Sequence, residues 1–158
     1  MRAKILIVSI LTILMTACNK DQFTTKPQLE FDNVNTNVVA VGSDFIITLK
    51  YRDKEGDIQD SIYVERHAVN CTDTLRALYA IPSNVPKIKN GEGEIVISYS
   101  YGGDFPAFEL IGDPVCGLND PPDAPKVNDT CIYRFALSDR AGNTSDTISS
   151  PPIVILKR

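Results

Sequence analysis

Asp44-Phe45-Ile46-Ile47-Thr48-Leu49-Lys50-Tyr51-Arg52 decides the fold class. Phe45, Ile47, Leu49 and Tyr51 share one face, with Thr48, Lys50 and Arg52 opposite, which is the period of a half-buried β-strand. Asp53-Lys54-Glu55-Gly56-Asp57 follows as a turn, with Gly56 free to take a positive φ. Further on, residues 61–69 put Ile62, Val64 and Ala68 on one face and Tyr63, Glu65 and His67 on the other. Residues 74–81 make the next strand, although Leu75-Arg76-Ala77-Leu78 alone would pass as a helical turn. Pro82 and Pro86 break it, and residues 94–101 alternate again through Ile95, Ile97, Tyr99 and Tyr101, the two tyrosines being expected in the core. Cys131, Tyr133, Phe135 and Leu137 align in residues 130–138. The last strand, 144–156, is interrupted by Pro151-Pro152. Backwards from Asp44, residues 29–34 and 38–41 read as a first strand, split in two. Helical periodicity is hard to find anywhere. The expectation is all-β: an antiparallel sandwich of seven to eight strands, occupying residues 29–158.

Residues 102–130 are irregular, with Phe105 to Ile111 expected as a short strand and Asp120-Pro121-Pro122-Asp123-Ala124-Pro125 excluding regular structure. An insertion this long is either functional or pinned. Cys116 and Cys131 flank its second half, and the preferred disulfide is Cys116–Cys131; Cys71 with either partner stays open.

The N-terminus has its own logic. Met1-Arg2-Ala3-Lys4, an apolar run over residues 5–14, and the small residues Thr16-Ala17 before Cys18 form a secretory signal peptide, too short to span a bilayer. Leu14-Met15-Thr16-Ala17-Cys18 resembles a bacterial lipobox, with Met15 in place of the usual leucine. That implies removal of residues 1–17, lipidation of Cys18 and a polar tether over 18–28 that anchors the domain to a membrane. Asn19 follows the cysteine, where an aspartate would favour the inner membrane. The expected address is therefore the outer membrane, at its periplasmic face or the cell surface.

Removal of the signal takes away Arg2 and Lys4, leaving 14 cations against 20 anions and a net charge of −6. An acidic chain with no basic run argues against nucleic acid as a partner. Tryptophan is absent, and His67 is the one histidine. A His-rich metal site is thereby excluded, and a catalytic triad has a single candidate, which sits on the outer face of a strand. No nucleophile–base pair is recognisable, so the chain is expected not to be an enzyme.

Three short pieces resemble the immunoglobulin-like and cadherin-like modules of bacterial surface proteins. Asp53-Lys54-Glu55-Gly56-Asp57-Ile58 is similar to an acidic Gly-Asp loop of Bacteroidetes envelope lipoproteins. Ser138-Asp139-Arg140-Ala141-Gly142-Asn143-Thr144 resembles the turn before the last strand of bacterial Ig-like domains. Asp129 to Phe135 is similar to a tyrosine-corner pattern with Tyr133 as the tyrosine, although Phe135 stands where an antibody domain has a cysteine. The resemblance implies a fibronectin-III-like or cadherin-like sandwich and an envelope setting.

In such a sandwich the two acidic loops share one end, bringing Asp53, Glu55 and Asp57 towards Asp139 and Asn143. These are hard oxygen ligands suited to Ca²⁺, which takes 6–8 of them. Against that stands ordinary turn chemistry, or neutralisation by Arg52 and Arg140. Asp60-Ser61-Ile62, Asp73-Thr74-Leu75 and Asp146-Thr147-Ile148 each resemble the Bacteroidetes O-glycosylation acceptor, which makes Ser61, Thr74 and Thr147 candidate sites. The functional expectation is a non-catalytic binding or accessory module for a glycan or an envelope protein; the alternative is a structural or assembly lipoprotein facing the periplasm, stabilised by calcium.

Overall fold

The alternation around Phe45 is realised as a ten-residue strand at the centre of a small sheet. The computed structural model describes residues 23–71, 74–101, 116 and 127–157. The signal peptide, Cys18 and the start of the tether, residues 102–115 with the expected 105–111 strand, and the proline-rich stretch lie outside these residues.

Nine strands are described: β1 (Gln28–Val34), β2 (Val38–Val39), β3 (Asp44–Asp53), β4 (Ser61–Ala68), β5 (Thr74–Ala80), β6 (Gly91–Ser100), β7 (Asp129–Ser138), β8 (Ile148–Ser149) and β9 (Ile153–Ile155). One sheet has the order β1-β3-β6. The other runs β2-β9-β7-β4-β5, with β8 also on β7. All pairings are antiparallel except β2 with β9. Among the described residues there is no helix, and residues 74–80 settle as strand because Leu75, Ala77 and Tyr79 face the core.

The excess over seven or eight strands comes from the two expected breaks. Residues 28–39 change sheets: β1 pairs with β3, while β2 crosses to β9. Asn35 makes the crossing possible, since its amide donates to the Asp44 carbonyl (2.9 Å) and its side-chain oxygen accepts from the Ile46 amide (2.8 Å). At the far end Pro151-Pro152 cannot donate to a ladder. Ser150 bridges the gap instead, donating its amide to Tyr133 O (2.8 Å) and accepting the Tyr133 amide on Oγ (3.0 Å).

The two sheets enclose one core. Phe45, Ile47 and Leu49 of β3 meet Ile62 and Val64 of β4 and Tyr133 and Phe135 of β7, all buried. The Phe45 and Tyr133 rings, from opposite sheets, are 5.4 Å apart. Tyr99 and Tyr101 are buried as expected, and the Tyr101 hydroxyl donates to Leu156 O (2.9 Å).

The cysteine pairing differs from the preferred one. Cys116 is bridged to Cys71, 45 positions away, with Cα atoms 5.7 Å apart, and Cys131 remains a buried thiol. The reason lies in the alternation itself: Cys131 belongs to the inward row of β7 and pairs in register with Ala68, whereas Cys71 lies just beyond the end of β4. Closing a loop of 45 residues constrains the unfolded chain by about 4 kcal/mol in the chain-entropy picture.

Candidate metal centre

The inward row of β3 continues past Leu49. Counting by twos through Tyr51 reaches Asp53, the last residue of the strand and fully buried. The inward row of β7 likewise runs through Phe135 and Leu137 to Asp139, one residue beyond the strand and 2% exposed. β3 and β7 lie in different sheets, so the two facing rows end in carboxylates at the same end of the core. Asp57 joins them from the β3–β4 turn. One carboxylate oxygen from each of the three lies within 4.8 Å of the others.

Local backbone chemistry fixes this arrangement. Asp53 Oδ2 accepts from the amides of Gly56 and Asp57 (3.1 Å for the latter), turning the chain back over its own side chain. Gly56 has φ +71°, and a Cβ there would come 2.2 Å from the Ile88 carbonyl oxygen, so only glycine lets the turn close on the β5–β6 connection. The Arg140 amide donates to Asp57 O (2.9 Å), locking the β7–β8 turn to this loop. Asp139 is held by Asn143, whose backbone amide reaches Oδ1 and whose Nδ2 reaches Oδ2, both at 2.8 Å.

Two carboxylate oxygens at the centre have no hydrogen-bond donor: Asp53 Oδ1 and Asp57 Oδ1 are buried and unpartnered, as is Oε1 of the buried Gln59. Among the described residues no ion pair reaches Asp53, Asp57 or Asp139. Arg52 turns instead to Glu92 (3.5 Å) and Arg140 Nε donates to Gln59 O (3.1 Å), so neither neutralises the trio. Burial pushes the Asp53 carboxyl above its ordinary value; the two backbone amides oppose this, and the charges of Asp57 and Glu55 add to it.

Buried acceptors without donors, like charges close together and a raised carboxyl give the trio the character of a group that could hold a cation. Two ligands on opposite sides of a Ca²⁺ ion, each at roughly 2.4 Å, are about 4.8 Å apart. The donor set is all oxygen; no histidine or cysteine joins the trio, which disfavours zinc and suits a hard ion. Ca²⁺ tolerates such an irregular set better than Mg²⁺, which demands a near-octahedral one.

Of the five residues expected to bind metal, three converge. Glu55 is exposed and acts on the site only through its charge, while Asn143 stands behind Asp139. Gln59 was not foreseen; it sits in a loop with no periodic signal, and its burial comes from Nε2 donating to Gly56 O and Val85 O, both at 3.1 Å. Arg66 was also missed, although the row Ile62, Val64, Arg66, Ala68 could have shown it facing inward. It lies 3.7 Å from Asp129, both fully buried, at the other end of the core. His67 is on the outer face, its Nδ1 3.1 Å from Thr74 Oγ1. Of the candidate glycosylation sites, Ser61 is half-buried and donates to Asp60 Oδ2 (2.9 Å), Thr74 is half-buried, and Thr147 is exposed.

No family model matches the sequence, and no curated protein does either. Among solved structures, β-glucosidase from Listeria innocua in complex with gluconolactone is 9% identical at TM-score 0.40, covering 82% of this chain and 16% of that chain. A Niemann-Pick type C2 protein from Japanese carpenter ant is 7% identical at TM-score 0.41, with 85% and 97% covered. The CARDB domain of a Pyrococcus furiosus protein in complex with di-metal ions is 8% identical at TM-score 0.31, with 87% and 95% covered. At such scores none of them bears on what this chain does.

Proposed function

We propose that the chain is a non-catalytic, Ig-like β-sandwich of the cell envelope, tethered through a lipid on Cys18 and clamped by Ca²⁺ at its tethered end. The observation that carries this reading is the Asp53–Asp57–Asp139 trio, with Asp53 and Asp139 buried, Asp57 half-buried and unpartnered oxygens on Asp53 and Asp57. Support for the Ig-like assignment comes from the strand order, a three-stranded sheet facing a larger one, with the first strand split between the two.

The direction of the tether gives the clamp its purpose. Gln28 at the start of β1 pairs with Arg52, next to Asp53, so the chain enters at the acidic end. Lys26 reinforces that entry by pairing with Asp146 (2.6 Å). With lipid on Cys18, the acidic end would face the membrane and the Cys71–Cys116 end would point away from it. Calcium then serves as a structural fastener near the anchor, and the outward end is the one presented to a glycan or protein partner.

Three measurements test the parts separately. Fatty-acid labelling of the protein in cells should vanish in Cys18→Ser; persistence of the label would sink the anchor. Adding Ca²⁺ to the mature chain should raise its melting temperature, with EDTA reversing the rise and Asp57→Asn abolishing it. An unchanged melting temperature would sink the clamp. Digestion by protease on intact cells would place the outward end at the surface, and protection until lysis would make it a periplasmic scaffold.

A further inference from the structure

The core is not equally closed on its two flanks. Inward residues of the central strands, such as Ile47, Val64 and Phe135, are fully buried, but those of β5 and β6 are only half-buried: Ala77 and Tyr79, Ile95 and Ile97. β5 and β6 end their respective sheets. Their inward side chains therefore have a neighbouring strand on one side only, and the sheets part between them.

The result is a cleft of about 410 Å³ between the two sheets, within the range of small-molecule sites. Ile95, Ile97 and Tyr99 of β6 form one wall, Ile62 and Tyr79 the other, and Pro82 lies at one end. Gly93 keeps the mouth open for Tyr51, since a Cβ there would meet the Tyr51 ring and hydroxyl at 2.9 Å. Polar atoms inside are few and specific. The Tyr99 hydroxyl donates to that of Tyr79 at 3.3 Å, which sets two phenol oxygens side by side in an otherwise apolar wall. Glu94 and Ser98 line the cleft from the exposed side of β6, and among the described lining residues there is no lysine, arginine or histidine.

We propose that this cleft binds an uncharged amphiphile: a slender apolar body carrying one hydroxyl or carbonyl, seated along Ile95 and Ile97 with its polar atom at the Tyr79–Tyr99 pair. The apolar walls supply the affinity and the two phenols fix the orientation. A carboxylate head group is selected against, because Glu94 repels it and none of the described lining residues is a cation that could pair with it.

The test uses the full mature chain and N-phenyl-1-naphthylamine, a neutral apolar dye that fluoresces on transfer out of water, with 1-decanol and decanoate as competitors. Saturable one-to-one dye binding is expected, with decanol displacing the dye and decanoate at least about tenfold weaker. Ile95→Phe should fill the cleft and lower dye affinity by about tenfold or more. Should that variant fail to fold, Tyr79→Phe decides: decanol should weaken by about fivefold with dye affinity unchanged. Leu78→Ser, on the outer face of β5, should bind like the parent. Absence of saturable dye binding, equal potency of decanoate, full affinity in a folded Ile95→Phe, decanol affinity unchanged in Tyr79→Phe, or a dimer that occludes the cleft would each overturn the proposal.

Discussion

At the Cys71 end of the core the buried carboxylate of Asp129 faces the buried guanidinium of Arg66, 3.7 Å away, and also accepts the Cys116 amide at 3.0 Å. At the opposite end Asp53, Asp57 and Asp139 converge, and among the described residues no cationic side chain is paired to them. Both ends place carboxylates on inward rows where burial opposes charge. One end carries its counter-charge in the sequence, on the neighbouring strand. The other carries three negative groups, with unpartnered oxygens on Asp53 and Asp57; under the calcium proposal its counter-charge comes from solution. A buried charge is tolerated only with compensation, and this contrast is what supports the proposed calcium site.

Breaking the self-sufficient end should have the largest effect. Arg66→Met leaves Asp129 buried without its guanidinium and should cost about 3–5 kcal/mol in urea unfolding. Adding Asp129→Asn should recover much of the loss, and a double variant as unstable as the single one would show that Arg66 acts through packing instead. At the acidic end, Ca²⁺ at about a hundred times its dissociation constant should add about 2.7 kcal/mol.

The calcium increment should also depend on pH in a definite direction. The folded carboxyl of Asp53 is raised above its unfolded value, so the folded state holds the proton more tightly. Calcium-free stability is then greatest below the unfolded carboxyl value and falls as pH rises through the raised one. Calcium needs the ionised form, so its increment grows over the same window. Melting curves with Ca²⁺ and with EDTA across that range would show the two lines diverging as pH rises; parallel lines would contradict it.

Asp53→Asn sharpens the contrast further. The amide oxygen keeps the bonds from the turn amides while one of three like charges is removed. The calcium-free protein should gain about 1 kcal/mol and lose its response to Ca²⁺. The smallest effect belongs to Glu65 on the outer face. Burial alone would raise its carboxyl, but hydrogen bonds from Arg76 (2.9 Å) and Tyr63 (2.9 Å) and the charge of Arg134 hold it below its ordinary value. Its arginines are solvated, so Glu65→Gln should cost less than about 1 kcal/mol. A loss as large as that of Arg66→Met would dissolve the distinction between a pair buried on both sides and one whose arginines are solvated.

Period-two alternation made the strands legible, because a side chain's face depends only on its position in the strand. Residues 45, 47 and 49, and 131, 133 and 135, could be assigned to the core without knowing their neighbours. The acidic turns were legible too, since Asp, Asn and Gly are dictated by local backbone geometry. Carrying the same count two residues further would have put Asp53 and Asp139 inside, and one step along β4 would have done so for Arg66. What the sequence by itself determined was the set of inward rows and the turns that end them. Tertiary structure decided which rows face each other: that Asp53 meets Asp139 while Arg66 meets Asp129, that Cys116 reaches Cys71 and leaves Cys131 in the core, and that β5 and β6 part to leave a cleft. The carboxylate, ion-pair and disulfide outcomes depend on pairings between residues 45 to 86 positions apart, and no local preference encodes which distant strand a given face will meet.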